Sequence, residues 1–234
     1  MSNVRTVSDT KRSFYNDHTR PINSIYRRVV DELMVEMHLH SVNADYRYEP
    51  IYALGVATTF DRFMQSYRPD SDRESIFNAI CKSVEEDPQT YLNDAAHLRS
   101  EASSLTATDF LEQVKQLSSQ DSGGVIGTLK AIADNPKFKY CRLFAIGLYS
   151  LLEAMDAELA KDTKKLNSAL QTFSEALHLD GDKVQKDLEL YRSNLEKMIQ
   201  AQIVLEDIIK ADRKKKEERA KAKADAAIAA PQEG

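Results

Sequence analysis

Apolar residues recur along this chain at spacings of three and four, the period of a helix face, and no stretch sustains the alternation that marks a strand. Ser8 reads as the N-cap of a short helix ending near Tyr15. Ile22, Ile25, Val29, Val30, Leu33 and Met37 form the apolar stripe of a longer one, introduced by Pro21 and Ser24. Pro50 opens a helix carrying Leu54, Phe60, Met64 and Tyr67, which Pro69 should end. Asp70 or Ser71 caps a run with Ile76, Phe77 and Ile80, and Pro88 opens another with Tyr91, Leu92 and Leu98. Thr106 or Thr108 caps Phe110, Leu111, Val114 and Leu117, and residues 118–124 read as a loop. A short apolar run from Val125 to Ile132 follows.

The segment from Tyr140 to Met155 is hydrophobic nearly all round, which predicts a helix in the centre of a bundle. Asp162 caps a helix with Leu166, Leu170, Phe173 and Leu177, and Gly181 separates it from the last element. There Val184, Leu188, Tyr191, Leu195, Met198, Gln202, Leu205 and Ile209 step alternately four and three, a heptad seam broken only by the polar Gln202. Such a seam can pack within the chain or against a second copy, and the oligomeric state stays open. The expectation is an all-α, multi-helix bundle over residues 1–180, with about eight helices in the chain counting the last one. A long, partly projecting C-terminal helix follows over 181–222, then a disordered tail over 223–234.

Composition supports this picture. Only 7 Gly and 6 Pro occur in 234 residues, too few for a turn-rich β fold. The net charge of -5 argues against nucleic acid as a partner. That charge is unevenly spread: 210–223 carries +5, against -8 for 1–209. Lys210, Arg213, Lys214, Lys215, Lys216 and Arg219 are therefore candidates for contact with a membrane or an acidic partner, although a solvated helix end reads the same way. No window reaches the roughly 18 apolar residues of a membrane span, and Met1–Thr10 lacks the apolar core of a signal or transit peptide. Cys81 and Cys141 read as small buried hydrophobes in a reducing compartment.

Motifs for chemistry are weak. His38 and His40 face different sides of a helix, and Glu175-x-x-His178 lacks the second such pair that a di-metal bundle needs. Gly123-Gly124-Val125-Ile126-Gly127 has no following Lys-Ser/Thr and no preceding strand, so it is no phosphate loop. No nucleophile, base or cofactor pattern stands out, and the expectation is a protein without catalysis or cofactor. The remaining signal is tyrosine beside arginine in apolar segments. Tyr26, Arg27, Arg28, Arg62, Tyr140, Arg142, Tyr191 and Arg192 are candidate partner-binding residues, since these two types anchor interfaces. The competing reading is helix–helix ties inside the bundle.

Several strings of the chain are specific. They include Thr6-Val7-Ser8-Asp9-Thr10-Lys11-Arg12-Ser13-Phe14-Tyr15 and Arg20-Pro21-Ile22-Asn23-Ser24-Ile25-Tyr26-Arg27-Arg28. Tyr48-Glu49-Pro50-Ile51-Tyr52-Ala53-Leu54-Gly55, Arg142-Leu143-Phe144-Ala145-Ile146-Gly147-Leu148-Tyr149 and Tyr191-Arg192-Ser193-Asn194-Leu195 are others. The chain thereby resembles, over roughly residues 5–220, the thylakoid formation protein family of oxygenic phototrophs, also described as photosystem II biogenesis proteins. The resemblance implies a non-enzymatic, peripheral thylakoid factor on the cytoplasmic side in a cyanobacterium. It further implies work in photosystem II assembly or repair, with FtsH-type AAA protease subunits as partners. Two rivals are a direct assembly chaperone for photosystem II subunits and a pigment- or lipid-binding helical protein.

Overall fold

The computed structural model describes residues 5–119 and 123–229. Among them, eleven α-helices and one 3-10 turn occur, and no strand. They are α1 (Val7–Asp17), α2 (Ser24–Ser41), α3 (Pro50–Phe63), α4 (Asp70–Ser83), α5 (Pro88–Ser103) and α6 (Ala107–Lys115). After the 3-10 turn (Leu117–Ser119) come α7 (Gly124–Ala133), α8 (Arg142–Met155), α9 (Ala157–Lys161), α10 (Thr163–Ala176) and the long α11 (Gly181–Ala229). The all-α fold with its long last helix is as the periodicity predicts.

The chain forms two compact units, residues 1–192 and 193–234. The division falls inside α11 and not at Gly181. Val184, Leu188 and Tyr191 are all buried, and Tyr191 lies against Phe63 and Tyr149, which holds this first part of α11 in the first unit. The second unit is helical as far as Ala229, so residues 223–229, expected to lack order, are helix. Residues 230–234 and Gln120–Ser122 lie outside the described residues.

Within the first unit, α3 and α8 form the centre, each packing on the other and on α5. Every residue from Ile51 to Thr58 and from Leu143 to Leu152 is buried, as an all-round apolar pattern requires. The crossing has no room for a side chain. A Cβ on Gly55 would fall on the Leu143 carbonyl and lie 3.0 Å from the Gly147 nitrogen. A Cβ on Gly147 would fall on the Ile51 carbonyl, 2.9 Å from Ile51 Cγ2. α1 packs on α2 and α4, and α10 on α6 and α9.

Local chemistry sets the ends. Thr6, not Ser8, caps α1: Thr6 Oγ1 accepts from the Asp9 amide at 3.2 Å, and Asp9 Oδ2 accepts from the Thr6 amide at 3.1 Å. Pro50 and Pro88 occupy first-turn positions, and Asp162 Oδ1 caps α10 through the amides of Lys164 and Lys165. α3 stops at Phe63, short of Pro69; Met64 and Tyr67 keep the apolar spacing because both are buried in the turn that follows. α9, capped by Asp156, is too short to show a period.

Two helices end in a left-handed residue that is not glycine. Glu85 (φ 67) follows α4, with the Glu86 amide bonding to the Cys81 carbonyl at 3.0 Å. His178 (φ 57) follows α10, with the Leu179 amide on the Ser174 carbonyl at 2.8 Å. His178 is therefore outside the helix, and the Glu175-x-x-His178 spacing does not correspond to one helical face.

Gly147→Ala is expected to destabilise the fold by about 3 kcal/mol, since backbone and not a flexible side chain would have to yield. His178→Gly is expected to stabilise it by about 1 kcal/mol, by relieving left-handed strain. Urea unfolding of the two variants against the parent checks both signs.

Candidate functional site

Five of the eight tyrosine and arginine candidates are ties inside the first unit rather than free anchors. Tyr26 is 5% exposed and meets Tyr67 edge-on at 5.0 Å. Arg62 of α3 pairs with Glu153 of α8 and lies 5.7 Å over the Tyr149 ring. Arg142 Nη2 reaches Glu36 Oε2 of α2 at 2.6 Å. Tyr140 donates to Asp187 at 2.8 Å, with Lys183 5.4 Å over its ring. Tyr191 is 3% exposed; burial pushes its phenol up to about 12, with the Arg62 guanidinium pulling the other way. Buried helix ties and interface anchors use the same residue types, and sequence alone does not separate them. Arg27 and Arg28 are exposed, the first donating to the Ile22 carbonyl at 3.2 Å and the second to Glu32 at 2.8 Å. Arg192 is partly exposed, with no ion pair among the described residues.

A polar cleft of about 430 Å³ opens where α3, α5 and α8 meet. Its inner wall is hydroxylic. Ser150 of α8 and Thr58 of α3 are both buried, and their oxygens are 3.0 Å apart. Arg99 of α5 donates from Nη2 to Thr58 Oγ1 at 2.8 Å. The outer walls carry Arg62 with Glu153, and Asp61, which stands 3.7 Å from Arg99 and 3.8 Å from Arg73. Burial pushes the Asp61 carboxyl up, and the two guanidiniums pull it back. In the sequence Arg62 stands out beside an apolar segment, whereas Arg99 does not, because its partners Thr58 and Asp61 lie far away along the chain.

A second cluster joins α2, α3 and α5. Tyr52 lies 4.7 Å from His40, 6.4 Å from Tyr46 and 6.0 Å from Tyr91, and Tyr48 lies 5.3 Å from Tyr91. The outer phenols donate to carboxylates, Tyr46 to Glu86 at 3.0 Å and Tyr48 to Asp94 at 2.7 Å. His38 is elsewhere, bonded through Nδ1 to Thr10 at 2.8 Å, so the two histidines do not converge. Burial pushes both thiols up to about 12; Cys81 is buried, while Cys141 is partly exposed at the N-cap of α8. Neither is a ready thiolate near neutral pH. Among the described residues no group of three or more His, Cys, Asp or Glu side chains is placed to hold a metal.

The second unit is different in character. Ile199, Ile203, Val204, Ile208 and Ile209 are exposed within eleven positions of α11, Val204 at 58% and Ile208 at 54%. Met198 and Gln202 are buried, and Leu205 is intermediate. Immediately after come Lys210, Arg213, Lys214, Lys215, Lys216 and Arg219, all exposed; Lys210 lies 3.9 Å from Glu206. Among the described residues no helix is long and apolar enough to cross a membrane.

Fold and surface together define an all-α protein with a polar-tied bundle and a long C-terminal helix that leaves apolar side chains uncovered. The chain belongs to the thylakoid formation protein family, whose sequence profile matches residues 6–220. It is 59% identical over 232 residues to the protein Thf1 of Nostoc punctiforme, covering 99% of this chain and 98% of that one. It is 59% identical over 220 residues to Thf1 of Trichormus variabilis, covering 94% of each. A solved structure of Psb29 matches with a TM-score of 0.80 and 43% identity, over 91% of this chain and 98% of that one. The family expected from the sequence strings is thus established.

Burial pushes the Glu49 carboxyl, beside Pro50 at the start of α3, up to about 7. An unfolded glutamate titrates near 4.5, so the folded state holds the extra proton between these two values. Stability from this group is then fully present below about pH 4.5 and is lost as pH rises towards 7. Glu49→Gln, which mimics the protonated form, should be the more stable protein above pH 7. Its advantage should shrink as pH falls through that window, measured as paired Tm values across pH.

Proposed function

We propose that this chain is a non-enzymatic thylakoid formation factor that serves photosystem II biogenesis and repair by docking. In this reading it is peripheral to the cytoplasmic face of the thylakoid. It engages a membrane protein assembly through residues 199–219 of α11, and that assembly is an FtsH-type AAA protease complex. The observation that carries the reading is the group of exposed apolar residues Ile203, Val204, Ile208 and Ile209 followed directly by a run of cations. Isolated exposed hydrophobes are ordinary, but a contiguous patch marks a contact site. A helix can lay such side chains into a groove of a partner, while the adjacent charges guide the approach at a salt-dependent rate. The identity of the partner rests on the family resemblance alone.

Val204 and Ile208 are one helical turn apart on one face. The pair Val204→Asp and Ile208→Asp is expected to cut co-purification of FtsH-type subunits from gently solubilised thylakoids at least tenfold, while the circular dichroism spectrum stays that of the parent. Photosystem II subunits in place of the protease would favour the direct assembly chaperone. Unchanged recovery of partners by the double variant would overturn docking through this helix.

A further inference from the structure

We propose that the cleft between α3, α5 and α8 binds a single carboxylate group, held by Arg99 above the hydroxyls of Thr58 and Ser150. This site is separate from the docking stretch on α11, and nothing in the reading of that stretch requires it.

The case begins with Arg99. Its side chain is 39% exposed, so the guanidinium is within reach of a ligand. One of its N–H groups is fixed on Thr58 Oγ1 at 2.8 Å. Its approach to Asp61, at 3.7 Å, is too long for a hydrogen bond. Among the described residues the guanidinium therefore has most of its five donors unspent and its plane already oriented. A planar fork with parallel donors matches a carboxylate in two-point contact. Arg62, by contrast, is committed to Glu153 and the Tyr149 ring.

Charge selects the ligand further. On the lining, Arg62 and Arg99 balance Glu153 and Asp61; Arg73 lies outside the lining, 3.8 Å from Asp61, and its charge leaves this group of five with one positive charge in excess. A monoanion cancels it. A dianionic phosphate would bring a second negative charge to walls that already hold two carboxylates. The volume, about 430 Å³, is in the range of small-ligand clefts and exceeds what a bare ion needs. The carboxylate therefore comes with a body, either a small organic acid or the C-terminal residues of a peptide chain. The wall is pre-formed, because Gly55 and Gly147 lock α3 and α8 together one turn before Thr58 and Ser150.

The test is titration of the full-length, isotope-labelled protein, followed through the backbone amides of α3, α5 and α8. The probes are acetate, inorganic phosphate, and an acetylated tetrapeptide with either a free or an amidated C-terminus. Saturable shifts with the free peptide, at least tenfold weaker with the amide, support the proposal with a chain terminus as the source. Acetate binding as tightly as the free peptide supports it with a small acid as the source. Arg99→Gln should weaken binding at least tenfold, and Arg99→Lys, which keeps the charge and loses the fork, should weaken it severalfold. Exposed Arg28→Gln should leave it unchanged. Thermal unfolding confirms that each variant is folded. Phosphate binding tighter than any carboxylate, no saturable shift with any probe, or full affinity in folded Arg99→Lys would overturn the proposal.

Discussion

The contact of α3 with α8 at Gly55 and Gly147 sets the geometry of the first unit. Backbone meets backbone there, with the Leu143 and Ile51 carbonyls occupying the places where side chains would start. One turn further on, the same two helices carry Thr58 and Ser150, whose hydroxyls bond across the seam, and beyond them Arg62 and Glu153, which form an ion pair. The seam thus passes from bare backbone to buried hydroxyl to half-exposed charge along its length. Dry close packing at one end fixes the helices well enough for a small polar cleft to keep its shape at the other. α5 closes that cleft by sending Arg99 onto Thr58.

Several polar side chains in this bundle cross-link segments distant in sequence: Arg142 to Glu36, Tyr140 to Asp187, Tyr46 to Glu86, Tyr48 to Asp94. Each joins a partly buried group to a partner, and removing one member would strand the other in a poorly solvated place. Their energetic value lies in specifying one arrangement of many similar helices. Apolar burial supplies the drive, and the exposed pairs such as Arg28 with Glu32 add little.

What the sequence made legible follows the range of the interaction. Pro50, Pro88 and Asp162 mark helix starts because the chemistry is local: proline presets its own backbone angle, and Asp162 caps amides two and three residues on. The all-round apolar run in α8 announced its central place for the same reason. The family was legible because long specific strings need no structural inference. Arg99 was not legible, because Thr58 lies 41 residues away and nothing near Arg99 in sequence signals the contact. Gly55 and Gly147 stand inside the matched strings, but which glycine sits at a crossing depends on the partner helix. For Tyr26 and Tyr191 the pattern leaves an interface and a helix–helix tie both open, because the same side chain serves a core and an interface. Burial, a tertiary quantity, decides between them.

The last helix shows the converse case, a pattern that exceeds what the chain itself uses. Val184, Leu188 and Tyr191 are buried and belong to the first unit. The same step continues through Met198 and Gln202 to Ile209, which is 49% exposed. Meanwhile Ile203, Val204 and Ile208 add apolar side chains on other faces, so only Glu206 and Asp207 interrupt the stretch from 203 to 209. A helix that needed only to pack one seam would carry polar residues on the rest of its circumference. Retaining apolar residues there costs solubility and contributes nothing to the seam. The docking proposed for this stretch would account for that excess, and the cations that begin at Lys210 favour solubility of the uncovered helix.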